Sequence, residues 1–508
     1  MFSITVAIVV LFLAVVYYYL KSVYFTLRGP IPGISPQLLF GNVLQTGILA
    51  LKPASLPDVL IQLRDKFGDV YQFWFGSMHL IMINCLEDAQ YIFSRRHIYD
   101  QGDIFTENLK LLNPNGVICL KGAKFKRHAS VISSLFRRGK ILIHLDTIID
   151  CTDKLLDRWR MHYNNPTKIH LNMIEQSQQL LLAIFGFIAF NYDLETLDDN
   201  SENSQNELTQ AFYSLLNTMQ TLMQLPTFLG RIYLSLNFKA QRARTIIDRY
   251  LEKMIEQELN TTREMRMERK RTSFIASLVT SLQEDEKLEA TKPEEEKKGL
   301  SRIEVMNEML SFLAAGYGTT STALSWFIYF MSKNPQIQKK IKQELSEYHG
   351  QRLSIQQVES LTYLDCVLRE VFRLAGPVTG TVRTLTADDQ LPKSGAQLKK
   401  GDSVMITFYT LARDKRYWAD LYDLNEFHPE RYLDDPENKN NLSALIPFGG
   451  GHRQCMGQDL ARFELKIICA RLMQFVTFGD GGPELNAGGY DVTDTIKPKK
   501  LAVTITFD

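Results

Sequence analysis

One cysteine of the chain lies in a setting that favours a reactive thiolate. Cys455 follows a glycine-rich stretch that begins at Pro447, and residues 459–475 after it have the apolar spacing of a helix. The thiol therefore lies just before a helix N-terminus, where unpaired N–H groups and the helix dipole lower the pKa of a cysteine. Arg453 adds a nearby positive charge. Such a thiolate suits a metal ligand or a nucleophile, and a small buried cysteine in a turn is the structural alternative.

The residues around Cys455 favour a metal ligand over a nucleophile. The glycines at 449–451 let the backbone turn sharply and approach a flat partner closely. His452 adjoins the cysteine in sequence, which does not place it as a base, and no His–Asn partner set is evident for a nucleophile. The other five cysteines are far apart, and no two form a Cys-x-x-Cys pair. A zinc ribbon, a thioredoxin-type site and a disulfide framework are therefore not expected.

The elements that must position this site belong to a folded, mostly helical protein. The chain has 508 residues, of which 45% are hydrophobic and 23% charged, with a net charge of +1. These values exclude a disordered or fibrous chain, and the near-neutral charge argues against a dedicated nucleic-acid binder. Residues 70–75 and 80–83 predict two strands, after which helical spacing dominates. The apolar stretch 303–332 predicts a long buried central helix, so the predicted fold is mainly α with a small β region.

The stretch from Phe448 to Gly457 resembles the haem-ligand signature of the cytochrome P450 family. That signature reads Phe-x-x-Gly-x-Arg-x-Cys-x-Gly, and Phe448, Gly451, Arg453, Cys455 and Gly457 match every fixed position. The resemblance implies the multihelical cytochrome P450 fold with its long central helix. It also implies that Cys455 is the axial thiolate of a haem b iron, a ligand that favours O–O cleavage, and that the other four residues contact the cofactor.

Two further motifs of the family precede this signature in the chain, in the order that the family shows. Glu370 and Arg373 match Glu-x-x-Arg, whose spacing places both side chains on one helix face. Arg431 ends the later Phe-x-Pro-Glu-Arg segment, and in the family these three residues form a buried structural triad. Arg383 corresponds to a family arginine that binds a haem propionate, as does Arg453, because guanidinium–carboxylate pairs are strong and directional.

The central helix keeps only part of the family's oxygen-binding motif. Ala315, Gly316 and Thr319 match it, and the resemblance makes them the expected catalytic positions. The two small residues would leave room for oxygen and substrate, and the Thr319 hydroxyl would hydrogen-bond the oxygen. Gly318 stands where the family has an acid that relays protons, a role worth about 10²–10⁴-fold for a positioned proton donor. Either water enters beside Gly318 as a substitute path, or the chain does not perform ordinary oxygen activation.

A second departure affects the family's Trp-x-x-x-Arg motif, which also holds propionates. Phe125 replaces the tryptophan and Ala129 replaces the arginine, so two hydrogen-bond donors are lost. Weaker haem retention is expected as a result. His128 and Lys126 are the candidates to compensate, and Phe125 and His128 are retained as expected cofactor contacts.

The first twenty residues are uncharged and almost wholly apolar. About 20 helical residues rise roughly 30 Å, enough to cross a bilayer core. Tyr17–Tyr19 would lie at the interface, with Lys21 and Arg28 just beyond, which places the rest of the chain in the cytosol. A cleaved signal peptide is the alternative, but no basic start or small-x-small site is evident. We expect a single-pass anchor over 1–20 in the endoplasmic reticulum membrane, a proline-rich hinge over 21–36, and one catalytic domain over 37–508.

Three functions are compatible with these features. The first is a microsomal-type monooxygenase that inserts one atom of O₂ into a hydrophobic substrate such as a lipid, steroid, fatty acid or xenobiotic. Its electrons would come from NADPH through an FAD/FMN reductase, with cytochrome b5 as a second candidate donor. The second is a haem-thiolate isomerase or dehydratase that acts on hydroperoxides without a reductase, and Gly318 motivates it. The third is a non-catalytic haem or lipid binder, motivated by the altered propionate motif.

By resemblance, two groups of segments serve the substrate and the reductase. The family's substrate pocket corresponds to the apolar segments 103–120, 212–229 and 376–382. The family helix that faces the reductase corresponds to a basic region here, which would attract an acidic flavoprotein. This basic region comprises Lys121, Lys124, Lys126, Arg127, Arg137 and Arg138.

Overall fold

The computed structural model describes residues 2–48, 54–162, 167–198, 206–270, 272–418, 422–433, 442–492 and 495–508. Helices dominate and strands are few, so the predicted mainly α fold with a small β region is confirmed. The α-helices are α1 Phe2–Tyr24, α2 Leu56–Phe67, α3 Leu86–Ser94, α4 Asp103–Leu109, α5 Gly122–Ile132, α6 Arg138–Leu142, α7 Leu145–His162, α8 Met173–Phe185, α9 Glu207–Gln224, α10 Thr227–Leu236, α11 Phe238–Leu259, α12 Arg263–Arg269, α13 Phe274–Thr280, α14 Glu286–Ala290, α15 Arg302–Gly316, α16 Gly318–Lys333, α17 Pro335–Glu344, α18 Ile355–Ser360, α19 Thr362–Ala375, α20 Phe408–Leu411 and α21 Gln458–Phe475.

The strands are short and lie in four sheets. They are β1 Val70–Phe75, β2 Met78–Ile83, β3 Tyr99–Gln101, β4 Gly380–Leu385, β5 Asp389–Gln390, β6 Gln397–Leu398, β7 Ser403–Thr407, β8 Val476–Asp480, β9 Gly488–Val492, β10 Ile496–Lys500 and β11 Val503–Phe507. The chain divides into two compact units. The first unit contains Met1–Phe105, Thr379–Tyr417 and Asn441–Gln454, and the second contains Thr106–Val378, Trp418–Asn440 and Cys455–Asp508.

The first unit is built on a sheet with the strand order β1-β2-β7-β4-β3. Strands β1 and β2 form the predicted hairpin, which turns at Gly76 with a φ of +61°. Helix α2 covers the sheet because its apolar side chains, Leu60 among them, pack on Tyr71, Phe73 and Met82. The pairing of β3 with β4 and of β4 with β7 fixes the residues of β4, including Arg383, in the interior of this sheet.

The second unit is organised around the central helical segment. Helix α15 begins at a capping box in which the Ser301 hydroxyl and the Glu304 side chain each bind the other residue's backbone N–H. Helix α16 is largely buried and packs against α8, α19 and α21. The predicted helix over 303–332 is therefore present, but it is divided in two at Tyr317 rather than continuous.

Two apolar helical stretches among the described residues bear on membrane insertion. The stretch Met173–Phe190 has the length and hydropathy of a membrane span, but 72% of it is buried inside the protein, as expected of a core helix. Helix α1 contains a shorter apolar stretch, Val10–Tyr24. Its side chains Leu11 and Phe12 are two-thirds exposed, so α1 presents an apolar surface to its surroundings.

Candidate functional site

The glycine-rich loop before the cysteine folds tightly against the end of helix α3. Gly449 and Gly451 have φ of +72° and +70°, in the left-handed region that favours glycine. A Cβ at Gly451 would collide with the Phe93 carbonyl oxygen, so this position admits no side chain. Phe448 is half-buried just before these glycines. The loop closes in a short 3-10 turn over Gly451–Arg453, which leads directly to the cysteine.

Cys455 is the exposed member of the six cysteines, all of which lie in described parts of the chain. Burial raises the pKa of the Cys455 thiol, while the Gly457 N–H lowers it. The predicted lowering of this pKa is therefore wrong in sign for the thiol alone, because desolvation outweighs the start of α21. The sulfur is thus accessible and at the same time partly desolvated by the atoms around it. Such a sulfur is poorly suited to be a free thiolate, but a bound metal cation would deprotonate it.

Two buried arginines of the first unit lie near Asp100, and Arg453 is the one that pairs with it. Arg453 pairs with Asp100 through Nε at 3.0 Å and also through Nη2. Arg383 donates from Nη1 to Thr381 Oγ1 at 2.6 Å and to Val382 O at 3.0 Å. Its Nη2 is buried and has no hydrogen-bond partner among the residues that the structure describes. The family motifs predict both arginines, whereas no motif contains Asp100.

The unfilled donor of Arg383 fits one more anion. Desolvation and repulsion from Arg453 lower the pKa of Arg383 to about 10. A buried guanidinium donor without a partner is costly. The unpartnered Nη2 of Arg383 therefore fits a carboxylate of a ligand, and a haem propionate is such a group.

The interruption at Tyr317 separates Ala315, in α15, from Thr319, in α16. Thr319 Oγ1 donates to Ala315 O at 3.2 Å, across the interruption at Tyr317. Such hydroxyl-to-carbonyl bonds accompany local bends in helices. Ala315 is exposed and Thr319 half-buried, although their neighbours in sequence are mostly buried. Ala315 at the end of α15 and Thr319 at the start of α16 are therefore accessible on the two sides of the interruption.

Gly316 and Gly318 have different surroundings from those expected. A Cβ at Gly316 would collide with the ring of Phe185 in α8. The small residue at 316 therefore makes room for Phe185, which corrects the expectation that it leaves space for oxygen and substrate. Gly318 is buried as the first residue of α16, and no carboxylate takes the place of the family acid at this position.

Helix α5 is tied to helix α15 by a buried network of charges. His128 is fully buried, with Nδ1 2.6 Å from Glu308 Oε1 and Nε2 3.3 Å from Glu304 Oε1. Arg127 binds Glu304 through both of its terminal nitrogens, at 2.8 and 2.7 Å. It also binds Glu294 at 2.7 Å. The network therefore joins two helices that are far apart in sequence.

This network corrects the expectation for His128. Its Nδ1 is hydrogen-bonded to Glu308, and its Nε2 lies within ion-pair distance of Glu304 without a hydrogen bond among the described residues, so His128 is committed to the carboxylates of α15 rather than to a propionate. Phe125 is half-buried and offers no polar atom, and Lys126 is exposed. No family motif contains Glu304 or Glu308, although the Ser-x-x-Glu capping pattern at Ser301 marks the start of their helix.

We expect His128 to stabilise the fold more at acid than at alkaline pH. Burial opposes its charge, but the hydrogen bonds and charges of Glu304 and Glu308 prevail and raise the pKa of His128. A raised pKa gives a stabilisation that is complete below the unfolded value of about 6.5 and is lost as pH rises through the folded value. In urea unfolding, His128→Asn should cost about 3–5 kcal/mol below that pH, and less as the pH is raised.

His144 provides a control of opposite sign. It is also buried, but burial alone lowers the pKa of His144 to about 4. Its protonation favours the unfolded chain, so His144→Asn should reduce the loss of stability as pH falls below about 6.5. A cost of His128→Asn that does not vary with pH would contradict the ionised network.

Glu370, Arg373 and Arg431 meet in the core of the second unit. Arg373 Nε lies 2.8 Å from Glu370 Oε2, and Arg431 Nε lies 2.9 Å from Glu370 Oε1. Further bonds connect the group to the backbone, from Arg373 Nη1 to Leu424 O at 2.8 Å and from His428 N to Glu370 Oε1 at 3.0 Å. Since all three side chains are at most 1% exposed, they hold the fold together and do not contact a substrate.

Comparisons with known proteins agree with this arrangement. The family model described as cytochrome P450 matches residues 31–480. Similar proteins include cytochrome P450 3A17 of Cavia porcellus, 26% identical over 93% of this chain and 91% of that protein. Cytochrome P450 monooxygenase 205 of Postia placenta is 23% identical over 81% of this chain and 80% of that protein. Cytochrome P450 4V2 of Rattus norvegicus is 24% identical over 82% and 78%.

The matched region covers most of the chain and contains every motif described above. The family uses thiolate-ligated haem, O₂, a substrate and electrons from a redox partner. The chain therefore belongs to the cytochrome P450 family and is an oxidoreductase of the monooxygenase class.

Proposed function

We propose that this chain is a membrane-anchored monooxygenase of hydrophobic substrates in which Cys455 ligates the haem iron. The accessible, desolvated position of Cys455 in front of α21 carries the proposal. When bound, the haem supplies the oxygen chemistry. Gly451 and Gly457 keep the backbone close to the cysteine, Phe448 supplies an apolar contact, and Arg383 with Arg453 provides the positive charge for a propionate.

On the central segment, Ala315 and Thr319 are the residues we assign to the reaction. The Thr319 hydroxyl gives its proton to Ala315 O, so its lone pairs remain able to accept a hydrogen bond from water or a protonated oxygen species. Thr319 thus orients a proton donor rather than supplying the proton itself. Because Gly318 carries no acid, we assign proton supply on this face to water.

Apolar surfaces support a lipid environment for the anchor and for the substrate. Helix α1 exposes Leu11 and Phe12, and helix α10 exposes Phe228, Ile232 and Leu236, which are 64%, 52% and 69% exposed. The three residues of α10 follow i, i+4 spacing, so they form one apolar stripe of the kind that lies at a membrane surface. We infer a single-pass protein of the endoplasmic reticulum with its catalytic part in the cytosol, which takes substrates that partition into lipid.

The redox partner that we propose is an FAD/FMN reductase supplied by NADPH, with cytochrome b5 as a second donor. Arg127 does not belong to the docking surface, because it is buried against Glu304. Lys126, Arg137 and Arg138 are exposed and remain as its basic residues. Their charge would attract an acidic flavoprotein and make the rate of electron transfer sensitive to salt.

This function is tested by product analysis, first with NADPH and a reductase and then with a hydroperoxide alone. We expect the full chain in lipid vesicles to oxidise fatty acids or steroids when NADPH and a flavoprotein reductase are supplied. Thr319→Ala should lower the amount of product formed per NADPH, by about 10-fold or more if it orients the proton donor. Thr320→Ala is the matched control, since its hydroxyl donates to Gly316 O and is 3% exposed. Equal yields from both variants would contradict the role of Thr319.

Gly318 favours a second candidate function in the same site. A chain without the family acid can act on hydroperoxides, which already contain the reduced O–O bond. Conversion of a fatty-acid hydroperoxide without reductase into an isomer, or into a product that has lost only water, together with no NADPH-dependent product, would establish this isomerase or dehydratase activity in place of the monooxygenase. We set aside the non-catalytic binder because Cys455 and Thr319 are both retained.

A further inference from the structure

We propose that Asn113 is a positioning residue that clamps a loop onto helix α15 and so limits the length of substrate that fits beside Ala315. The loop consists of residues 110–117, between α4 and α5, and we call it the clamp loop. The clamp loop and α15 both lie in the second unit. This inference rests on the proposed function, in which Ala315 borders the reacting substrate.

Donors of the clamp loop bind acceptors of α15. Asn113 Nδ2 donates to Asn307 O and to Ser311 Oγ, both at 2.9 Å. The Ser311 hydroxyl donates in turn to Asn307 O at 3.0 Å, so it accepts from the loop and donates within its own helix. At the end of the loop, the Val117 N–H donates to Glu308 Oε2 at 3.2 Å. Because Asn307 and Ser311 are only 1% and 3% exposed, loss of the loop donors would leave buried acceptors unsatisfied, which is costly.

Gly116 allows the backbone of the clamp loop to lie directly on this contact. The residue is buried, and a Cβ at this position would collide with Ser311 Oγ and Asn113 Nδ2. Its φ of −74° is open to any residue. Glycine is therefore needed here for space and not for its backbone freedom, and no side chain fits between the loop and α15 at this point.

The cover that the loop provides ends just before the residue assigned to the reaction. Asn307, Ser311 and Ala315 recur every fourth residue, so they follow one another along one face of α15. Ser311 is buried under the clamp loop, whereas Ala315 is exposed. Four helical residues rise about 6 Å, so the loop lies within that distance of Ala315 along the helix. The accessible part of this face therefore begins where the clamp loop ends, and a longer substrate would meet the loop.

Binding of saturated fatty acids of increasing chain length tests this limit. Each acid would be titrated into the holoenzyme, and binding would be followed by the shift in haem absorbance. In the natural chain we expect the affinity to rise with chain length and then to stop rising. In Asn113→Ala the loop is free to leave Ser311, so the longest acids should bind about 10-fold more tightly and the short ones as before. Amide hydrogen exchange at Val117, measured without any fatty acid, should become about 10-fold faster.

Gly116→Ala separates the loop from α15 by a second route. It keeps every polar group of the clamp and displaces the loop by size alone, so it should reproduce both effects even if Asn113→Ala folds poorly. The matched control is Gly139→Ala, since Gly139 is exposed in helix α6 and a Cβ there meets nothing within 4 Å. This control should keep the natural exchange rate and the natural chain-length limit.

Two results would overturn the clamp. One is faster exchange at Val117 in Asn113→Ala and Gly116→Ala with an unchanged chain-length limit, which would mean that the loop does not bound the substrate. The other is a change in affinity that is equal for all chain lengths. Absence of any absorbance shift with every acid in the natural chain would instead refute the proposed function, and the substrate limit with it.

Discussion

Replacement of Cys455 by alanine is expected to abolish the absorbance band of thiolate-ligated haem in the reduced, carbon-monoxide-treated protein. The other five cysteines are buried, so none of them is available to replace the lost ligand. Monooxygenase activity should fall to the background of the assay, because the thiolate is the ligand that favours O–O cleavage. Both effects are measured on the same sample, by difference absorbance and by product analysis.

The matched control is Cys366→Ala, which removes a thiol that is 6% exposed in helix α19. This variant should keep the band, with at most a modest loss of stability. Circular dichroism of both variants would show whether the fold is retained. If Cys455→Ala kept the band, the axial ligand would be another residue, and the assignment of the site would have to be abandoned.

Replacement of Glu370 by glutamine should have the largest effect on stability. Its carboxylate binds Arg373 and Arg431 at 2.8 and 2.9 Å, and none of the three side chains is more than 1% exposed. Glutamine removes the buried negative charge that both guanidiniums bind, and breaking a buried pair in this way costs about 3–5 kcal/mol. We expect a correspondingly lower urea midpoint and a lower yield of haem-loaded protein.

Glu359→Gln is the control for this prediction. Glu359 also pairs with an arginine, Arg138, but these side chains are 44% and 73% exposed. Exposed pairs contribute about 0–1 kcal/mol, so this variant should unfold like the natural chain. Equal midpoints for Glu370→Gln and Glu359→Gln would show that the buried triad does not hold the core.

The features that the sequence predicted best are those that depend on residues close together in the chain. The ligand signature ending at Gly457, the Glu370–Arg373 pair and the β1–β2 hairpin each depend on spacings of a few residues. Arg431 was found because a family motif contains it. Helical periodicity also predicted the central segment. Its apolar run does not predict the interruption at Tyr317, because the run continues through that position.

Contacts between distant segments were not predictable in the same way. His128 and Glu308 are 180 residues apart, and only the packing of α5 on α15 shows that the histidine is committed to a carboxylate. Asp100 lies 353 residues from Arg453, and its short strand has no distinctive pattern. The thiol pKa was misjudged for a related reason, because the degree of desolvation depends on the tertiary surroundings.

The charges that join α5 to α15 also limit how the second unit can open. If α5 were to swing away, Arg127 and His128 would leave Glu304 and Glu308 without counter-charges in an apolar interior, at a cost of several kcal/mol. Helices α5 and α15 should therefore move together as one rigid body. Among the described residues no ion pair joins α9 or α10 to α15, and Glu207 of α9 pairs instead with Arg249 of α11, so a movement of α9 or α10 relative to α15 does not carry this electrostatic cost.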